Sequence, residues 1–145
     1  MTVTVLALTD IDIDGIITSI EGIITDIGYK LEDLSDINID TWTAQPLAML
    51  SYVSETFLDT NGQQSNEAIV NFTILVKFRE ITPILSRSKS TLVIHNLKNN
   101  VTADEINTAA KLVIEVYNQV GEIVDYDTSI TTIEYKFDVR YRNED

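Results

Sequence analysis

The sequence predicts an α+β fold: an antiparallel sheet of about four strands, including a long β-hairpin, with two helices packed on one face. Three observations lead there. Isoleucines recur at three- and four-residue spacing between Asp10 and Lys30, the stripe of an amphipathic helix. Apolar and polar residues alternate from Ala68 to Phe78 and again from Ile133 to Arg142, the pattern of strands with one buried face. A capping sequence, Thr102-Ala103-Asp104-Glu105, opens a second helical stripe.

The first helix is expected over residues 10–30. Ile13, Ile16, Ile17, Ile20, Ile23, Ile24 and Ile27 form its stripe, Asp10 serves as N-cap and Gly28 as stop. Gly15 and Gly22 weaken it by about 1 kcal/mol each relative to Ala. Residues 31–48 read as loop, anchored by Leu34, Ile37, Ile39 and Trp42.

A hairpin follows. Met49–Leu58 is the outgoing strand and Asp59-Thr60-Asn61-Gly62 supplies the turn. On the return strand Ala68, Val70, Phe72, Ile74, Val76 and Phe78 share one face. Asn71, Thr73 and Lys77 share the other with the apolar Ile69 and Leu75.

Beyond Pro83 the basic, Ser-rich stretch Ser86-Arg87-Ser88-Lys89-Ser90 reads as an exposed loop or arm, and Thr91–Leu97 as a third strand. From the cap at Thr102, Ile106, Ala109, Ala110, Val113, Val116, Tyr117 and Val120 continue a helical stripe that Gly121 ends. In the last strand Ile133, Tyr135, Phe137, Val139 and Tyr141 alternate with Glu134, Lys136, Asp138, Arg140 and Arg142.

The chain has 145 residues, with no internal repeat or Pro-rich linker, and reads as a single domain over 1–145. It has no Cys, which excludes disulfide frameworks, thiol chemistry and zinc fingers. With 44% hydrophobic residues it can build a core, unlike a disordered acidic tail. No apolar run approaches the roughly 18 residues of a membrane span, and no basic stretch leads into an apolar one in signal-peptide fashion.

The formal charge is −13 and unevenly spread. Residues 1–72 hold twelve carboxylates and one base, and residues 73–145 hold eleven carboxylates and nine bases. Five of the ten bases, Lys77, Arg79, Arg87, Lys89 and Lys98, cluster together. Such an acidic surface repels phosphate, which disfavours tight nucleic-acid binding and anionic membranes. It keeps the protein soluble, and it also suits a surface past which DNA moves without sticking.

One motif carries metal chemistry. Asp10-Ile11-Asp12-Ile13-Asp14-Gly15 with Glu21 twelve positions in matches a calcium loop. Asp10, Asp12 and Asp14, the Ile16 carbonyl and a bidentate Glu21 would supply oxygen ligands. The same residues also read as an acid-capped helix start. Strand-like Val3, Val5 and Leu6 stand where an entering helix belongs, and there is no second loop to pair with.

Catalytic signals are weak. His95 lies within an apolar segment and reads as structural; no G-x-S-x-G, phosphate-cradling or H-E-x-x-H motif is present. The Tyr135–Tyr141 row is core by period. No catalytic, cofactor-binding or metal-ligating residue is therefore assigned, and the chain is not expected to be an enzyme. A small calcium-binding interaction module using the Asp10–Glu21 loop stays open as the alternative.

Taken together, segments 10–30, 49–58, 67–79, 102–121 and 130–142 follow an order: leading helix, long hairpin, basic connection, capped helix, long final strand. In that layout the chain resembles the tail terminator (tail-completion, head–tail connector) proteins of tailed bacteriophages. The resemblance implies a virion structural protein, made in the host cytoplasm, that forms a homohexameric ring. Such a ring caps the tail tube and joins it to neck and head-completion proteins, with an acidic lumen through which DNA passes without specific binding. Another neck or baseplate ring subunit would share this logic. On this view the basic stretch Arg79–Lys89 meets an acidic neighbour, so charge reversal at Arg87 and Lys89 should prevent ring formation. The hairpin tip Asp59–Asn66 is then the candidate contact with tube or neck. No cofactor and no membrane partner are implied.

Overall fold

A computed structural model describes residues 3–7, 13–34, 45–58, 66–79, 83–106, 112–127 and 130–142. The fold is α+β: α1 (Ile13–Ile27), β1 (Lys30–Leu31), β2 (Leu47–Phe57), β3 (Glu67–Arg79), α2 (Pro83–Asn100), α3 (Ala103–Ile106), β4 (Leu112–Asp127) and β5 (Ile130–Arg142). The sheet has five strands in the order β1-β2-β3-β5-β4. Four pair antiparallel, as expected; the two-residue β1 adds a parallel edge at the border of the expected 31–48 loop.

The core follows the predicted periodicities. Even-numbered residues Ala68 to Phe78 of β3 and odd-numbered residues Ile133 to Tyr141 of β5 are buried together. Ile13, Ile16, Ile20, Ile23 and Ile24 of α1 close over them, joined by Val93 and Leu97 of α2 and Ile106 of α3. Gly28, at φ 109°, ends α1 as the left-handed residue of a Schellman cap: Tyr29 N–H donates to Ile24 O and Gly28 N–H to Thr25 O. α1 packs toward β1 and β2, whereas α2 packs toward β5 and β4.

Two expectations are overturned, and they exchange places. The stretch expected as exposed loop and strand, 86–97, lies in the eighteen-residue helix α2. Of the helix expected over 102–121 the described residues show one turn, α3, while Ala109 and Ala110 lie outside them, and Leu112–Asp127 is the sixteen-residue strand β4. In α2 the buried positions include Ser86 and Ser90, while Leu85 and Leu92 face outward. No apolar stripe therefore marks the helix, and the β-branched Thr91, Val93 and Ile94 within it read as strand. In β4 the register shifts three times, between Val113/Glu115, Tyr117/Val120 and Ile123/Asp125. These bulges space Val113 and Val116 three apart on the core face, which imitates a helical stripe. The cap itself is genuine at its first half, since Glu105 N–H donates to Thr102 Oγ1 at 3.3 Å.

Gly121, expected to end that helix, has a different task. A Cβ there would stand 2.7 Å from Ile94 Cγ2 and 3.2 Å from Tyr135 Cδ2, so glycine lets α2 settle on β4 and β5. Ser86 and Thr131 share a buried 2.5 Å hydrogen bond that fixes the start of the same helix to β5.

Candidate functional site

The expected site residues scatter. Asp10 and Asp12 lie outside the described residues, as do positions 59–65 of the hairpin tip and Trp42. Asp14 and Glu21 are both on α1, seven residues or about 10 Å of helix rise apart. The helix begins at Ile13, the fourth position of the proposed calcium loop, whereas such a loop needs non-helical backbone there to turn its oxygens inward. Among the described residues no three of His, Asp and Glu converge in a way that would hold a metal ion.

His95 sits on the exposed side of α2 rather than in a strand. Tyr135 and Tyr141 are buried, as their period predicted. Their hydroxyls donate to Gln119 Oε1 and Glu55 Oε1, and burial pushes the Tyr135 phenol up to about 12. These tyrosines thus join β5 to β4 and to β2.

The opposite sheet face carries an ordered polar network. Arg140 donates from Nε (3.1 Å) and Nη2 (3.0 Å) to Glu67 Oε1, and Arg142 Nη2 lies 3.6 Å from Glu67 Oε2. Asp138 accepts from Asn71 Nδ2 at 2.8 Å and from Asn118 Nδ2 at 2.9 Å, one on each oxygen. Asn118 adopts φ 53° at the central bulge of β4, a conformation Asn tolerates well. Lys136 meets Glu134 at 2.9 Å, and that hydrogen bond raises its pKa. These contacts bridge β3, β5 and β4, and they explain the mixed charges at alternate positions of the last strand.

Two surfaces stand apart from this network. One is the outer side of α2, which exposes Leu85, Arg87, Lys89, Leu92, His95 and Lys98. The other is an open groove at the β1–β2 end, lined by Glu21, Leu31, Glu32, Asp33, Met49 and Leu50 with Ala48 at its floor. Sequence reading found the basic residues of the first, in a different conformation, and missed the second, because β1 and the start of β2 lie in the expected loop. No protein-family model and no curated protein matches the chain.

Proposed function

We propose that this chain is a ring-forming structural subunit of a bacteriophage tail, a tail terminator that caps the tail tube and joins it to the neck and head. The observation that carries the reading is the order of elements. A leading helix, the long β2–β3 hairpin, a basic helix, the long strand β4 and a long final strand occur in that order. This keeps the leading helix, hairpin and final strand of the layout on which the resemblance rests and replaces its basic connection and capped helix. The second helix occupies 83–100 instead of 102–121, and the basic residues ride on it instead of on a connection.

The charge supports the same reading. A closed ring of subunits each carrying −13 presents a lumen that repels phosphate, so DNA slides through without being held. Function then lies in assembly, in the virion, with the tube and the neck proteins as partners. Adding the purified protein to growing tail-tube subunits tests this. Tubes should stop lengthening, with the protein at their ends in electron micrographs. Unaltered tube lengths and bare ends would contradict it.

A further inference from the structure

The outer side of α2 inverts the usual sorting of side chains. Ser86 and Ser90 are 4% and 2% exposed, while Leu85 and Leu92, two turns apart on one side, are 52% and 60% exposed. The helix contains Arg87, Lys89 and Lys98 and no carboxylate. At the other end of the sheet, the groove between α1 and β1–β2 is lined by the apolar Leu31, Ala48 and Leu50 and by the carboxylates Glu21, Glu32 and Asp33. Lys30 bridges Glu32 at 2.9 Å and is the one base that α1 and β1 hold. Leucines beside cations thus match apolar side chains beside carboxylates.

We infer that α2 of one copy docks, by Leu85, Lys89 and Leu92, into the acid-rimmed α1/β1–β2 groove of a second copy. Helix-in-groove recognition uses side chains at such i, i+4 and i+7 spacing. α2 rests on β5 and β4 and the groove opens at β1 and β2, so plug and socket occupy opposite ends of one sheet. Each docked pair leaves one plug and one socket unused. The contact is therefore head-to-tail, the kind that closes into a ring when its rotation closes. It names the subunit contact of the proposed ring and rests on that reading for closure alone.

Two variants test it by native mass spectrometry. Leu85→Ser/Lys89→Glu/Leu92→Ser removes the plug and keeps the socket; Glu21→Lys/Glu32→Lys removes the socket and keeps the plug. Circular dichroism and a retained melting transition verify folding, and Lys89→Glu alone is the milder substitute for the plug variant. Wild type should form a discrete multimer, and each variant alone should be monomeric. Their equimolar mixture should give one-to-one dimers and nothing larger, because one intact plug meets one intact socket. A wild-type-sized multimer from the plug variant, a mixture that stays monomeric, or a monomeric wild type would each overturn the inference. A multimer that behaves as described but leaves tube growth unaffected contradicts the tail reading and upholds this contact.

Discussion

Ile94 of α2 fills the space where a β-carbon on Gly121 of β4 would stand, at 2.7 Å from its Cγ2 and 2.8 Å from its Cγ1. Helix and strand thereby meet closely at this point, while Leu85 and Leu92 on the other side of α2 are exposed. Gly121→Ala should destabilise the fold by about 1–3 kcal/mol, the usual cost of overpacking. Adding Ile94→Ala should cost less than the sum of the two single changes. Urea unfolding midpoints of the three variants measure this; strict additivity would mean that the two residues are not in contact.

Tyr135 gives stability a pH dependence with a defined sign. Burial raises its phenol from 10.0 to about 12, so the unfolded chain ionises first as pH rises. The contribution is complete below about pH 10 and is lost as pH climbs through 12. Lys136, raised by its hydrogen bond to Glu134, acts in the same direction. Tyr135→Phe should flatten the fall in unfolding midpoint between pH 10 and 12 relative to wild type. Superimposable pH profiles would contradict the assignment.

Asp138 is the junction of the outer network, held by Asn71 on β3 and Asn118 on β4. Asp138→Ala should cost about 1–3 kcal/mol, since both amide groups lose a charged acceptor. A double-mutant cycle with Asn71→Ala should show coupling, and its absence would place the network outside the stability account.

Calcium should leave the melting temperature unchanged. A ligand that binds only the folded chain raises it by mass action, and α1 separates Asp14 from Glu21 along its axis. A saturable rise reversed by chelator would restore the calcium-module reading.

Periodicity decided what the sequence revealed. α1, β3 and β5 were legible because each has one apolar side at a regular spacing, from Ile13 to Ile24, from Ala68 to Phe78 and from Ile133 to Tyr141, and β2 was legible from the turn residues that follow it. α2 was not, because Ser86 and Ser90 turn inward and Leu85 and Leu92 outward. β4 was not, because its bulges turn a two-residue repeat into three-residue steps. Of the candidate surfaces, the basic residues Arg87 and Lys89 were visible as a charge cluster, but their arrangement depended on a helix that the pattern hid. The acidic groove arises from residues as far apart as Glu21 and Leu50, which no local pattern joins.

Self-association is the central claim, and native mass spectrometry of the purified wild-type protein, alone and with tail-tube subunits, tests it most directly. The account predicts one discrete closed multimer, a hexamer if the family resemblance holds. A protein that is monomeric on its own would contradict it.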